Sequence, residues 1–220
     1  MLGASVCAVA GVRIDELTIA DDPAAWAALG FAVAGDVVRV GDVALRLAGR
    51  AAGRGLVGWT LRGAASDRLD GLPTRLVEAS AGSGVAPPHP NGVVALDHVV
   101  AIAPALDRTV AALEAAGLDL RRVREQPTPA GAPRQAFFRL GAAILEVVQA
   151  PDDAIERSGG PHGPAFFWGL AFKVADLDAT AAHIGEERCG PPRPAVQPGR
   201  RIATLRRAAG LALPVALMTE

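Results

Sequence analysis

The chain has 220 residues, half of them hydrophobic and 20% charged, with a formal net charge of −1. That length and apolar content suffice for a sizeable core in one compact domain or two small ones, and the near-neutral balance excludes long-range attraction to nucleic acid or anionic lipid. Two cysteines, Cys7 and Cys189, exclude a disulfide framework and a Cys-x-x-Cys zinc site.

Met1 to Val12 is apolar but has no basic n-region and is too short for a secretory signal. Later apolar stretches break well before the ~20 residues of a membrane span. A soluble cytoplasmic protein with reduced thiols is expected. Arg13–Ile19 (RIDELTI) reads as a strand. Pro23–Leu29 reads as a short helix ended by Gly30, and Val37–Val40 and Val43–Leu47 as a hairpin around Gly41–Asp42. Leu56–Leu61 (LVGWTL) reads as a further strand. These features predict a trimmed module over 11–50 and an eroded one over 55–80.

Ala79–Gly92 (ASAGSGVAPPHPNG) has no hydrophobic period and reads as a linker. Residues 1–92 therefore form one region and 93–220 another, itself divided at Pro151–Pro164 into 95–150 and 165–220. The two pieces repeat each other. Leu96–Ala103 (LDHVVAIA) and Phe167–Val174 (FWGLAFKV in its core) read as strands. Leu106–Asp107 and Leu177–Asp178 each precede a helix, with the Asp expected to cap the first turn. Gly117 and Gly185 end those helices. Strands follow at Leu120–Glu125, Arg134–Leu140 and Ala143–Val148, and again at Pro191–Pro198, leading to Arg201–Arg206 and Leu213–Met218. The pattern is strand, helix and three strands, twice, with a constant shift of 71 across the first strand. It predicts an α+β fold in which paired βαβββ modules form curved mixed sheets around a cleft.

The strings Leu96-Asp97-His98-Val99-Val100, Arg134-Gln135-Ala136-Phe137-Phe138 and Ile144-Leu145-Glu146-Val147-Val148, in this order and at module spacing, resemble the glyoxalase/bleomycin resistance/extradiol dioxygenase (vicinal oxygen chelate) superfamily. The resemblance covers about 95–220 well and 11–80 weakly. It implies lyase-, isomerase- or dioxygenase-type chemistry on a small oxygen-rich molecule. The alternative it leaves open is a non-catalytic protein that binds or sequesters a small molecule. It also implies a divalent metal (Zn, Fe, Mn or Ni) held by a His from the first strand and a Glu from the last strand of each module. Such an ion would act as a Lewis acid on a substrate oxygen.

On that template His98 and Glu146 stand at both ligand positions of the 95–150 module. The shift of 71 puts Gly169 at the second His position, with Val215 or Ala216 at the Glu position. In 11–50 the positions fall on Glu16 and Arg46, which can pair as ions. The implied metal site is thus a half-site, and one divalent ion or none is expected. His98 and Glu146 read equally as a hydrogen-bonded pair lining a metal-free pocket. Gln135, Trp168, Gln197 and Arg200 are candidate substrate contacts. Trp168 reads alternatively as packing, and the Gln197–Arg201 segment as a solvated Pro-Gly turn. His89 and His162 lie in Pro/Gly loops and His183 on the second helix, all without an assigned role. There is no phosphate loop, no Gly-x-Ser-x-Gly elbow and no basic-aromatic nucleic-acid pattern. The expected partner is a small molecule, with no nucleic acid and no membrane, for a monomer or a homodimer joined through edge strands.

Overall fold

The computed structural model describes residues 11–78, 86–127, 131, 134–151, 155–156 and 160–220; Cys7, the first half of the linker and parts of the 151–164 break lie outside them. The first sheet is built from β1 (Arg13–Ile19), β2 (Val33–Ala34), β3 (Val37–Val40), β4 (Val43–Leu47), β5 (Leu56–Arg62) and β6 (Thr74–Val77), with the short helix α1 (Pro23–Ala27) after β1. Its strand order is β2-β3-β4-β1-β5-β6. β1 runs parallel to β4 and antiparallel to β5, and β5 runs parallel to β6.

The second sheet repeats this plan in full. Its elements are β7 (Val93–Ala103), α2 (Leu106–Ala115), β8 (Asp119–Arg124), β9 (Gln135–Leu140), β10 (Ala143–Gln149), β11 (Phe166–Val174), α3 (Leu177–Ile184), β12 (Arg193–Pro194), β13 (Arg201–Thr204) and β14 (Val215–Met218). The order is β12-β13-β14-β11-β7-β10-β9-β8. β7 pairs parallel with β10, β11 parallel with β14, and the two modules meet where β7 and β11 pair antiparallel. The fold is α+β, two mixed sheets of βαβββ modules. In the first sheet β5 and β6 keep the outer frame of a module, its first and last strands, without the elements between.

Alternation along the strands decides which face is covered. In β10, Ala143, Leu145 and Val147 are buried, while Ile144, Glu146 and Val148 are only partly so. In β9, Ala136, Phe138 and Leu140 are buried while Phe137 and Arg139 are not. The buried face joins the helices and the first sheet in one continuous core. Phe172 stands edge-on to Trp26 and Phe31, and Phe167 edge-on to Trp59; such pairs add to the area they bury. Asp21, fully buried, ties the halves together: it accepts from the Trp26 indole and from the Ala212 backbone N–H and faces Arg50 at 3.2 Å.

Three local expectations are corrected. The helix caps are not the Asp of each Leu-Asp pair: Asp176, two residues earlier, accepts from the Ala179 N–H in α3, and α2 has no side-chain cap. Asp107 and Asp178 sit in the first turn, where a negative charge still favours the helix dipole, and each pairs with an arginine, Arg134 and Arg201. The linker reading fails at its C-terminal end. His89 and Asn91 are buried; the Ala32 N–H donates to His89 Nδ1 and the Asn91 amide to the Leu29 carbonyl. β7 begins at Val93, three residues earlier than expected. No helix among the described residues is long and apolar enough to cross a membrane.

The first strand of every module skips a residue against its partner, and β7 skips a second, Val94, near its start. The pairing skips Asp15 in β1, Val57 in β5, Asp97 in β7 and Trp168 in β11. Each is a β-bulge, which bends the strand and re-aims the side chains around it. The residues just after the bulges are Glu16, Gly58, His98 and Gly169. At the two glycines a close backbone approach is visible: a Cβ on Gly169 would stand 2.7 Å from the Pro214 carbonyl oxygen, and one on Gly58 would stand 3.3 Å from the Pro73 carbonyl oxygen. Gly169→Ala is therefore expected to cost about 1–3 kcal/mol through the forced backbone shift. Urea denaturation measures this; a variant as stable as the parent would show that the close approach is not a constraint.

Candidate active site

The open face of the second sheet forms a cleft of about 350 Å³, with β7 and β10 as its floor. His98 faces Ile144 across the parallel pair and Glu146 faces Val100, so the two polar side chains are diagonal neighbours on one face. His98 Nε2 lies 3.7 Å from Glu146 Oε2. Gln135, from the neighbouring strand β9, donates its amide N–H to Glu146 Oε1.

The bulge adds Asp97 to the same cleft, although it adjoins His98 in sequence. Asp97 Oδ2 lies 2.7 Å from His98 Nδ1, and Asp97 Oδ1 accepts from Arg200 Nη2 at 2.7 Å. Arg200 is itself fixed by the Thr219 carbonyl, 2.9 Å from its Nε, and by Gln197 Oε1, 2.7 Å from its Nη1. Burial alone would raise the Asp97 pKa, but the hydrogen bonds and charges of His98 and Arg200 hold it at about 2. An ionised carboxylate only accepts, so Nδ1 of His98 carries the proton and donates it. The ring is thereby oriented with Nε2 toward Glu146 and the cleft. Glu146 moves the other way: burial pushes its carboxyl up, against the pull of His98 and of the Gln135 amide.

The donor set tests the metal that the sequence resemblance implied. His98 Nε2 and Glu146 Oε2 are two donors at chelating distance. Asp97 is engaged on the far nitrogen of the same imidazole, the place of an orienting group, not of a ligand. Among the described residues no group of three or more His, Cys, Asp or Glu could hold an ion. The positions across the cleft are closed to donors: Gly169 lacks the room for a side chain, and Ala216, paired with Ala171 as Glu146 is with Val100, has none to offer. Two donors fall short of a set that holds a divalent ion by protein groups alone.

Of the other residues singled out in the sequence, Gln135, Gln197 and Arg200 join His98 and Glu146, the first on Glu146 and the other two on the Asp97 side. Trp168 does not line this cleft; it is 51% exposed at its bulge, beside the likewise exposed Phe166. Glu16 and Arg46 form an ion pair at 2.9 Å, and Arg46 also reaches Asp36. Sequence reasoning missed Asp97 as a site residue because strict alternation sends it to the covered face; only a bulge, unmarked in the sequence, turns it inward. It also missed Arg122, Arg139 and Lys173, which line the cleft. Arg139 and the spacing to Glu146 were available from period-two alternation across the Gly141 turn.

No family model matches the chain, and no curated protein matches it. Solved structures do. A xylose isomerase-like TIM barrel/4-hydroxyphenylpyruvate dioxygenase fusion protein matches 94% of this chain at 15% identity with a TM-score of 0.62, and the chain spans 49% of that protein's length, about half. Methylmalonyl-CoA epimerase from Mycobacterium tuberculosis matches 58% of this chain and 89% of its own at 20% identity, TM-score 0.47. The Streptomyces coelicolor methylmalonyl-CoA epimerase, in complex with 2-nitronate-propionyl-CoA, matches 58% of this chain and 98% of its own at 24% identity, TM-score 0.47. With paired βαβββ modules curled around a cleft and a match over 94% of its length to the fusion protein, the chain has the paired-module fold that its sequence resemblance to the glyoxalase/bleomycin resistance/extradiol dioxygenase (vicinal oxygen chelate) superfamily implies.

Proposed function

We propose that this chain is a glyoxalase-like enzyme that moves a proton on a small oxygen-rich molecule bound over His98 and Glu146. The observation that carries this reading is the Asp97–His98 pair set against a part-buried Glu146 on the same face. Two neighbouring carboxyls are driven in opposite directions, Asp97 down and Glu146 up. Such divergence is how one site holds both a proton acceptor and a proton donor. In the neutral ring His98 Nε2 offers a lone pair to the cleft, and Asp97 stabilises the imidazolium that forms when Nε2 takes a proton. A proton leaving a carbon next to a carbonyl goes to Nε2, and the electron pair moves onto the carbonyl oxygen. Glu146, in its protonated form, supplies the hydrogen bond or proton that this oxygen requires. This is isomerase- or lyase-type chemistry, and the chain's own groups suffice for it.

The test is solvent-deuterium exchange, followed by NMR, into a panel of small 2-oxo and 1,3-dicarbonyl acids. Catalysed exchange is expected, falling about a hundredfold or more in His98→Asn and in Glu146→Gln. Exchange equal in parent and variants would remove the proton-transfer role. The second reading, a protein that binds or sequesters such a molecule without turning it over, is favoured by the donor set that stops at two. It predicts saturable binding without exchange.

The role given to Asp97 has a thermodynamic signature. Its folded pKa of about 2 lies below the ordinary 3.8. It therefore contributes stability that is present above pH 3.8 and is lost as pH falls through about 2. The loss is about 2 kcal/mol at roughly 1.4 kcal/mol per unit. A pH series of urea denaturations should show this drop in the parent and not in Asp97→Asn; parallel curves would detach Asp97 from the pair.

The two-donor geometry makes its own prediction. Elemental analysis of protein purified without chelator is expected to give well below one divalent ion per chain, unchanged in the His98→Ala, Glu146→Ala double variant. A near-stoichiometric ion that disappears in the double variant would put a metal at the pair and make Lewis-acid assistance the working mechanism.

A further inference from the structure

The charge lining the cleft is lopsided. Arg121, Arg122, Arg139, Lys173 and Arg200 line it against only two carboxylates, Asp97 and Glu146, in a chain whose formal charge is −1. Arg200 is committed to Asp97 and Arg121 to Asp119. The other three are not. Arg122 lies over the Phe137 ring, 5.0 Å from its centroid. Lys173 and Arg139 have no hydrogen-bond or ion-pair partner among the described residues. Lys173 is also the only lysine in the chain.

Register shows how these cations stand around the floor. Arg139 pairs with Ile144, which pairs with His98, which pairs with Ala171, two residues before Lys173 on the same face. Arg122 pairs with Phe137, which pairs with Glu146. The free cations thus flank the His98–Glu146 floor from two sides, Arg139 and Arg122 on the β8–β9 wall and Lys173 on β11. Unpaired like charges gathered in one concavity repel one another and are held there at a cost. A bound anion removes that cost, and a concave, partly desolvated wall strengthens its attraction.

We infer that the cleft selects an anionic ligand, a small carboxylate- or phosphate-bearing molecule whose acid group is held by Lys173 and Arg139 while its reacting carbon lies over His98 and Glu146. This inference rests on the proposed site of reaction, but recognition of the acid group does not require that any proton move. Lys173 and Arg139 are specificity-determining residues in this account. Each gives a charge-assisted hydrogen bond to an oxygen of the ligand, Lys173 as a point charge and Arg139 as a fork.

The experiment is calorimetric titration of the full chain at low salt with three probes: malonate, inorganic phosphate and neutral malonamide. Malonate or phosphate is expected to bind saturably, weaken with added salt, and be preferred over malonamide. Affinity is expected to fall about tenfold in Lys173→Met, which keeps the apolar stem, and in Arg139→Gln. It should be unchanged in Arg193→Gln, an exposed arginine outside the cleft. Glu146→Gln, which removes the proposed proton donor and one negative charge, should bind the anion at least as tightly. Absence of anion binding, equal binding of malonamide, or an equal loss in Arg193→Gln overturns the inference. Anion binding that depends on Lys173 but is accompanied by no deuterium exchange upholds it and sinks the proton-transfer reading instead.

Discussion

One added residue in β7 organises the site. Without the bulge, Asp97 and His98 would point to opposite faces, as neighbours in a regular strand must. With it, both reach the cleft, and the carboxylate closes onto the ring at 2.7 Å. From that contact follow the tautomer of His98, the direction of Nε2 and the anchoring of Arg200, which in turn fixes Gln197 and the C-terminal Thr219 carbonyl. The bulge survives because β11 and β10 clamp β7 on both sides with extended ladders. A local irregularity of one residue is held by the unbroken parallel ladder of β10 on one side and the long antiparallel ladder of β11 on the other.

The same bulge recurs at four places, and the residues around it differ in an instructive way. The position after it carries Glu16, Gly58, His98 and Gly169. Gly169 sits beside a Pro214 carbonyl that leaves no room for a Cβ, and Gly58 beside a Pro73 carbonyl that would have to give by a few tenths of an ångström. The second module of the site-bearing half has therefore closed the position at which a facing ligand would stand, sterically and not merely by losing a functional group. A change of Gly169 to histidine would have to move the Pro214 backbone before it could bind anything. The one-sidedness of the site is thus a property of the backbone packing.

Much of this was legible in the sequence, and the exceptions share a cause. Period-two alternation and glycine stops placed β1, β3 and β4 to the residue, and the constant shift of 71 matched His98 to Gly169 as the bulges do. The pairing of Glu16 with Arg46 followed from the same comparison. What was not legible depends on tertiary contact. β6 carries only Thr74–Val77 and becomes a strand because β5 offers it a parallel edge. His89 and Asn91 sit in a Pro-rich stretch that looks solvated, yet they are buried by satisfying backbone groups of the first half. Asp97 looked like a covered-face residue because bulges have no sequence signature of their own. Trp168 invited a ligand-stacking role by type, and its own bulge leaves it exposed outside the cleft.

The chain also holds an internal comparison for its own site. In the first sheet the three positions equivalent to Asp97, His98 and Glu146 are Asp15, Glu16 and Arg46. There Asp15 meets Arg62 at 2.6 Å, Glu16 meets Arg46 at 2.9 Å, and Arg46 also meets Asp36 at 3.0 Å. Every charge at that centre is neutralised by a neighbour, as structural ion pairs are. In the second sheet the centre is not neutralised in this way: Nε2 of His98 and Glu146 stop at 3.7 Å, and Lys173 and Arg139 face the cleft with nothing among the described residues to answer them. The first module of each half shares the strand pairing and the bulge, so at these three positions the side chains make the difference. One half pairs every charge at its centre internally; the other pairs Asp97 with His98 and Arg200 but leaves Lys173 and Arg139 unanswered among the described residues around a concavity, which is where an anion would gain most.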